Sequence, residues 1–208
     1  MKVKVCGITS VAQLSALENL GVDYAGFIFY PKSARYAGEK LEEHQKEIQT
    51  FAINKVGVFV NEELEEVKRK IRRFGLAAVQ LHGDESAAYC KELMPLTQVI
   101  KVFRLKDEED LESRLAPFMD ACHFFLFDTD TKDYGGSGRQ FNWNLLQNAV
   151  INKPFFLSGG IGPDDVAKLK MFQHPFLYAV DVNSRFEVAP GVKNMEAVQQ
   201  FLNDLKEA

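Results

Sequence analysis

The chain alternates between short apolar runs and longer segments whose apolar residues recur at helical spacing. Eight short runs stand out, at residues 3–6, 24–29, 55–60, 77–81, 99–103, 124–127, 155–157 and 177–182. Several are apolar almost throughout, which is typical of strands covered on both faces. Strands that alternate with helices pair in parallel through crossover connections. The pattern therefore predicts eight parallel strands, with helices in the gaps between them.

The segments between the runs carry signals for helix starts and ends. In residues 62–74 the apolar residues form one stripe, with Asn61 as the expected N-cap and Gly75 directly after the last turn. Pro163 suits the first position of a later helix, and Asn194 is the expected cap of the last one. These signals support the alternation of strands and helices.

Eight parallel strands with their helices in 208 residues fit a (β/α)8 TIM barrel at the small end of its size range. An open doubly wound sheet usually has fewer strands. Hydrophobic residues make up 46% of the chain and charged residues 26%, as in an ordinary globular protein. Since no linker or low-complexity tract divides the α/β pattern, we expect residues 1–208 to form a single TIM-barrel domain.

Charge and cysteine content narrow the classes of partner. The formal net charge is -4 and the Lys and Arg residues are dispersed, which argues against a nucleic-acid partner. Cys6, Cys90 and Cys122 have unrelated spacings, so neither a disulfide framework nor a zinc cluster is indicated. The first run begins too early for a signal peptide, and no run approaches the roughly 20 residues that span a bilayer. We therefore expect a soluble, cytoplasmic protein with no membrane partner.

Polar residues follow most of the predicted strands. In a TIM barrel the active site lies at the carboxyl ends of the strands, so these residues are expected to converge there. They are Cys6, Arg35, Gln80, His82, Arg104, Asp128, Ser158, Asp181, Asn183 and Ser184. Each signal is weak by itself, but together they indicate an active site.

Asp128 and Cys6 are the candidates for proton transfer. Asp128 follows four apolar residues, and such surroundings raise the pKa of a carboxyl group towards the range that a general acid needs. A helix cap or an ion pair is the alternative. The thiol of Cys6, with a reference pKa near 8.5, needs only a modest depression of its pKa to act as a base. A nucleophilic role and a buried core position stay open for Cys6, and His82 either binds substrate or caps a loop.

Two glycine-rich segments follow the later strands. Gly159 and Gly160 let backbone N–H groups approach an anion, and barrel enzymes commonly hold a phosphate after strands seven and eight. Ser184 adds a hydroxyl group after strand eight. Residues 135–138, Gly-Gly-Ser-Gly, suit a mobile loop over the site, and neither segment matches the P-loop of nucleoside triphosphatases. No His or Cys residues have metal-ligand spacing, so no metal site is predicted.

Six sequence segments are spread, in order, along nearly the whole chain. They are Lys4-Val5-Cys6-Gly7-Ile8-Thr9, the segment 26–36, Val56-Gly57-Val58-Phe59-Val60-Asn61, Val79-Gln80-Leu81-His82-Gly83-Asp84-Glu85, Gly135-Gly136-Ser137-Gly138, and Asp181-Val182-Asn183-Ser184 through Pro190-Gly191-Lys193. This series resembles the phosphoribosylanthranilate isomerase family of tryptophan biosynthesis. The resemblance implies a cofactor-free Amadori rearrangement of N-(5-phosphoribosyl)anthranilate to 1-(2-carboxyphenylamino)-1-deoxyribulose 5-phosphate.

The resemblance also implies a role for each candidate residue. Asp128 is expected to be the general acid that opens the furanose ring, and Cys6 the general base that removes the C2′ proton. Arg35 is expected to bind the anthranilate carboxylate, for which a guanidinium group is suited. Gln80, His82 and Asp181 are expected to contact the substrate, and Gly159, Gly160, Asn183 and Ser184 its phosphate. The chain departs from the family's commoner residues at Arg139, Asn142, Asn183, Arg185 and Phe186.

Two other kinds of protein stay open. Another sugar-phosphate barrel enzyme would need a cluster of metal-binding His and Asp residues, as in an epimerase, or a catalytic Lys at a strand end, as in an indole-forming synthase. A barrel that only binds a phosphorylated metabolite would be indicated by loss of Cys6, Asp128 or Arg35, and all three are present. The expected partner is a small phosphorylated substrate, and the expected assembly a monomer or a homodimer.

Overall fold

The computed structural model describes residues 1–105, 110–129 and 141–207. Eight parallel strands close into a barrel in the order of the chain. They are β1 (Lys2–Cys6), β2 (Tyr24–Ile28), β3 (Asn54–Phe59), β4 (Ala78–Leu81), β5 (Gln98–Leu105), β6 (Phe124–Thr129), β7 (Phe155–Leu157) and β8 (Leu177–Val182). Each predicted run overlaps one of these strands, so the predicted TIM barrel is confirmed.

Helices connect successive strands around the barrel. They are α1 (Val11–Asn19), α2 (Gly38–Leu41), α3 (Gln45–Thr50), α4 (Leu64–Phe74), α5 (Ala87–Leu93), α6 (Leu111–Leu115), α7 (Asn144–Gln147), α8 (Val166–Met171) and α9 (Met195–Lys206). Short 3-10 turns lie at Glu42–His44, Ala116–Phe118, Pro163–Asp165 and Ser184–Phe186. A small antiparallel hairpin, β9 (Glu187–Ala189) and β10 (Val192–Lys193), follows β8. None of the described helices is long and apolar enough to cross a membrane.

Of the four predicted helix boundaries, three are correct and one is wrong. Asn194 caps α9 by accepting a hydrogen bond from the backbone N–H of Ala197 at 3.1 Å. Gly75 ends α4 in the left-handed conformation, and Pro163 begins the turn that leads into α8. The predicted cap Asn61 is wrong, because α4 begins only at Leu64. The side chain of Asn61 instead accepts a hydrogen bond from the loop after β4, which pulls this residue out of the helix.

Side chains alternate between the inside of the barrel and the helical layer outside it. On β1, Val3 and Val5 belong to the hydrophobic cluster between strands and helices, so Lys4 and Cys6 point inward. The lower interior is apolar and filled by a second cluster, which consists of Tyr24, Val56, Ala78, Ile100, Val102, Leu126, Phe156 and Ala179, with Phe124 and Tyr178 against it. Inward-facing polar residues are therefore concentrated towards the carboxyl ends of the strands.

A buried ion pair fixes the loop after β4. Lys101 on β5 is 4% exposed and Glu85 is 6% exposed, and the Lys101 ammonium donates to Glu85 at 2.9 Å and to the Gly83 carbonyl at 2.7 Å. The other carboxylate oxygen of Glu85 accepts from the backbone N–H groups of Asn61 and Gly83 at 2.8 and 3.2 Å. One carboxylate thus ties together the loops that follow β3 and β4.

We expect Glu85→Ala to lower the free energy of unfolding by about 3–5 kcal/mol, because it leaves the Lys101 charge buried without its partner. Urea unfolding measures this loss. Glu65→Ala serves as the control, since Glu65 pairs with Lys68 at 2.8 Å on the surface of α4, where solvent screens the charges. Equal and small losses in the two variants would show that the buried pair does not hold the loop.

Candidate active site

Cys6 lies at the carboxyl end of β1 and is 4% exposed. Its neighbour across the sheet is Gly26 on β2. A Cβ atom at Gly26 would lie 2.8 Å from the Cys6 sulfur, so a side chain at this position would displace the thiol. Gly7, which follows Cys6, has a φ of +80° and turns the chain out of the strand. The sequence Cys6-Gly7 therefore ends the strand with its thiol held at the barrel mouth.

Lys4 and Asp181 form a buried ion pair below the thiol. The Lys4 ammonium donates to a carboxylate oxygen of Asp181 at 2.8 Å, and the two side chains are 0% and 6% exposed. Alternation along β1 puts Lys4 on the same face as Cys6. Asp181 is predicted to contact the substrate, and in the structure its carboxylate binds the Lys4 ammonium. Lys4 is not among the site residues predicted from the sequence. Its position two residues before Cys6 on the same strand does indicate that its side chain points inward.

Burial raises the pKa of the Cys6 thiol, while the nearby ammonium groups of Lys4 and Lys193 lower it and Asp181 raises it further. The net result is a raised pKa. The modest depression of the pKa that a base at this position would need is therefore not found. Desolvation of the thiolate outweighs the two positive charges beside it.

Asp128 lies on β6, with a side chain that is 13% exposed. Burial raises the pKa of its carboxyl group to about 7, even though a hydrogen bond from the backbone N–H of Thr129 lowers it. Asp181 contributes to the rise, and the positive charges of Lys4 and Arg104 oppose it. Because its pKa is about 7, Asp128 can carry and release a proton near neutral pH, as its apolar setting in the sequence predicted.

His82 and Gln80 lie next to Asp128. The Gln80 amide nitrogen is 3.2 Å from Nδ1 of His82, and Nε2 of His82 is 3.5 Å from Oδ2 of Asp128. Burial lowers the pKa of His82 to about 3, so the ring is neutral. With the Gln80 amide donating to Nδ1, the ring proton lies on Nε2. Within the described part of the chain, Nε2 of His82 and Oε1 of Gln80 are buried without a hydrogen-bond partner, so both suit contact with a polar substrate.

Arg35 lies in the loop after β2 and is bound by Glu187 of the hairpin. Its Nε and Nη2 atoms donate to the two carboxylate oxygens of Glu187 at 2.7–2.9 Å. The structure places Arg35 beside Gly7, the residue after Cys6, because a Cβ atom on Gly7 would lie 2.9 Å from Cδ of Arg35. Glu187 was not predicted, and no residue pattern in the sequence signals that it faces Arg35.

The glycine turn after β7 lies against Asp128. Gly159 and Gly160 have φ angles of +92° and +68°, which favour glycine. A Cβ atom on Gly159 would meet the hydroxyl of Thr129 and would lie 3.3 Å from Oδ1 of Asp128. The predicted phosphate turn and the predicted acid are thus neighbours.

The other predicted phosphate contacts lie after β8. Ser184 begins the short turn Ser184–Phe186. Oδ1 of Asn183 accepts a hydrogen bond from Lys193 at 2.7 Å, and a Cβ atom on Gly7 would lie 2.7 Å from it, so this side chain lies against the residue after Cys6. The predicted mobile loop at 135–138 and the departure at Arg139 lie outside the described residues. Asn142 accepts a hydrogen bond from the backbone N–H of Asn144 at the start of α7.

The barrel mouth therefore gathers most of the predicted site residues on one side of the molecule. Contacts link Cys6 with Gly26, Arg35 with Glu187, Gln80 with His82, His82 with Asp128, Asp128 with Gly159, and Asn183 with Lys193. Among the described residues, no three His, Cys, Asp or Glu side chains are grouped so that they could hold a metal ion. The arrangement brings the predicted acid and base, the predicted phosphate turn and a guanidinium group to the same end of the barrel.

Comparison with known sequences identifies relatives over the full length. A family model described as N-(5'phosphoribosyl)anthranilate (PRA) isomerase matches residues 3–204. The N-(5'-phosphoribosyl)anthranilate isomerase of Phocaeicola vulgatus is 42% identical over 208 residues, which cover 100% of this chain and 98% of that protein. The protein of the same name from Thermotoga neapolitana is 40% identical over 212 residues, covering 99% and 98% of the two chains.

Solved structures give the same result. Phosphoribosyl anthranilate isomerase from Thermotoga maritima superposes with a TM-score of 0.86 at 36% identity, over 100% of both chains. A phosphoribosyl anthranilate isomerase in complex with reduced 1-(o-carboxyphenylamino)-1-deoxyribulose 5-phosphate superposes with a TM-score of 0.83 at 34% identity, again over 100% of both chains. Sequence and architecture thus agree along the whole chain, which belongs to the N-(5′-phosphoribosyl)anthranilate isomerase family.

Proposed function

We propose that this chain isomerises N-(5′-phosphoribosyl)anthranilate to 1-(2-carboxyphenylamino)-1-deoxyribulose 5-phosphate in tryptophan biosynthesis. The observation that carries the proposal is the placement of Asp128 and Cys6 at one barrel mouth, beside the Gly159-Gly160 turn. Isomerisation of an aminoaldose to an aminoketose moves hydrogen between neighbouring carbons, so it needs an acid and a base. A phosphate site at the same mouth would orient the sugar between them.

Asp128 acts as the general acid in the first step. Its proton goes to the ring oxygen of the ribose while the bond between C1′ and that oxygen breaks. The nitrogen lone pair forms the C1′=N bond of a protonated Schiff base. The raised pKa of about 7 supports this role, since the carboxyl group still holds a proton near neutral pH. The Nε2–H group of His82 lies beside the same carboxyl group and is placed to donate a hydrogen bond to the developing hydroxyl.

Cys6 acts as the general base in the second step. The thiolate removes the proton from C2′, the electron pair forms a C1′=C2′ bond, and the positive nitrogen becomes neutral in an enolamine. Protonation of C1′ and loss of the hydroxyl proton at C2′ then give the ketone. Lys4 and Lys193 support this role because both lower the pKa of Cys6 against the effect of burial.

Binding residues surround these two groups. Arg35 is suited to the anthranilate carboxylate through its guanidinium group. We expect Gln80 and Asp181 to contact the sugar, and Gly159, Gly160, Asn183 and Ser184 to hold the phosphate. The cytoplasm is the expected compartment. A solved relative is described as monomers generated from a dimeric isomerase of Thermotoga maritima, so a monomer and a homodimer are both compatible with this fold.

Complementation tests the substrate and the reaction together. A tryptophan auxotroph that lacks this isomerase is expected to grow without tryptophan when it expresses the chain. Failure to grow despite folded protein in the cell extract would contradict the proposed function.

We expect Asp128→Asn and Cys6→Ala each to lower kcat by about a hundredfold or more, since each removes one proton-transfer group. Steady-state kinetics with the purified substrate measures the loss. Cys90→Ala and Asp23→Asn are the matched controls, because Cys90 is a buried cysteine on α5 and Asp23 lies at the amino end of the barrel. Near-normal turnover in either active-site variant would exclude that residue from the chemistry.

The pH dependence of kcat/KM is expected to be bell-shaped, because Asp128 and Cys6 must share one proton. Below about pH 7 both groups are protonated and the base is missing. Above the raised pKa of Cys6 both have lost their protons and the acid is missing. In Asp128→Asn only the thiol titrates, so the rising limb near pH 7 is expected to move to higher pH. An unchanged limb in this variant would assign it to another group.

A further inference from the structure

The carboxylate of Glu187 holds two positive side chains at once. Arg35 approaches it with the Nε and Nη2 edge of its guanidinium group at 2.7–2.9 Å, and the ammonium of Lys193 donates to Oε1 at 2.7 Å. The side chain of Glu187 is 4% exposed, that of Lys193 is 0% exposed, and that of Arg35 is 15% exposed. The three groups leave one net positive charge in a largely buried setting.

Lys193 is saturated with hydrogen bonds. Besides Glu187, its ammonium donates to the backbone carbonyl of Asn183 at 3.2 Å and to Oδ1 of Asn183 at 2.7 Å. These three acceptors match the three donors of an ammonium group. Lys193 therefore has no remaining donor for a ligand, and it acts on its surroundings through its positive charge. A Cβ atom on Gly7 would lie 3.4 Å from this ammonium, which shows how near it is to the residue after Cys6.

The hairpin that carries Glu187 and Lys193 is fastened to the loop after β1. The hydroxyl of Thr9 and the side-chain amide of Gln13 donate to the carbonyl of Gly191 at 2.7 and 3.0 Å. The backbone N–H of Lys193 in turn donates to Oε1 of Gln13 at 3.1 Å. The β9–β10 hairpin is thus fixed relative to the segment that presents Cys6.

We propose that Glu187 is a positioning residue, which aligns Arg35 for a carboxylate of the substrate and keeps the positive charge of Lys193 next to Cys6. Glu187 occupies the Nε and Nη2 edge of Arg35, so the remaining donors of the guanidinium group are turned in a fixed direction. This inference rests on the proposed isomerase function. It adds a residue that need not touch the substrate itself.

The charged groups that face Cys6 come from three elements. They are Lys4 on β1, Asp181 on β8 and Lys193 on β10. Lys4 and Asp181 act on the pKa of the thiol in opposite directions, and Lys193 adds a second positive charge that lowers it. Lys193 itself faces Glu187 and Arg35. We therefore expect substitution of Glu187 to change KM, and substitution of Lys193 to change the titration of the Cys6 thiol.

Glu187→Gln tests the alignment of Arg35, because glutamine has nearly the same shape but no charge. We expect KM for the phosphoribosylanthranilate to rise about ten- to hundredfold, with a smaller change in kcat. Glu187→Asp, which keeps the charge on a shorter side chain, is expected to raise KM by a smaller factor and serves if Glu187→Gln does not fold. If Glu187 instead competed with the substrate for Arg35, KM would fall, and a fall or an unchanged KM would overturn the proposal.

Lys193→Met tests the charge beside Cys6. We expect the ultraviolet absorbance of the Cys6 thiolate, obtained by subtracting the same variant with Cys6→Ala, to appear at higher pH than in the unsubstituted protein. Lys55→Met is the matched control, since Lys55 is 7% exposed and binds the Phe51 carbonyl at the amino end of β3. An unchanged Cys6 titration in Lys193→Met overturns this part. If the unsubstituted protein does not turn over the substrate, the proposed function itself is wrong. If it does, but KM and the Cys6 titration are unchanged in the variants, only the positioning role is rejected.

Discussion

The ion pair between Lys4 and Asp181 joins the first and last strands where the barrel closes, since these two residues are paired across β1 and β8. A buried ion pair adds little net stability compared with apolar residues of the same size, but the loss of one partner is costly. Each of these two positions therefore requires the charged partner at the other. The pair makes the upper interior polar without giving it net charge, and it forms the floor under Cys6.

This polar upper layer depends on the apolar layer beneath it. Rings of Tyr24, Phe124, Phe156 and Tyr178 pack against one another with centroids 4.8–6.4 Å apart and fill the lower interior. Water is displaced from that region, so charges placed above it are poorly solvated from below. The same desolvation raises the pKa of Asp128 and of Cys6 and lowers that of His82. Burial thus favours the uncharged form of each of these groups, and the charges around them modify its effect.

The strands could be predicted from the sequence because buried parallel strands are apolar runs, and the strand count located Cys6, His82, Asp128 and Asp181 at strand ends. The neighbours of these residues could not be predicted as well. Lys4 has a periodic signal, but Glu187 and Lys193 reach the site through a hairpin whose position is set by hydrogen bonds to α1 and its preceding loop. Burial also raises the pKa of Cys6, and the sequence could not predict this shift because its size depends on three-dimensional packing.

The fastening of the β9–β10 hairpin to the loop after β1 has a consequence for biosynthesis of the protein. Thr9 and Gly191 are in contact although almost the whole chain lies between them. A ribosome releases the segment with Cys6 well before the segment with Lys193. The thiol therefore remains without the Lys193 ammonium beside it until the β9–β10 hairpin has been made and has reached the loop after β1.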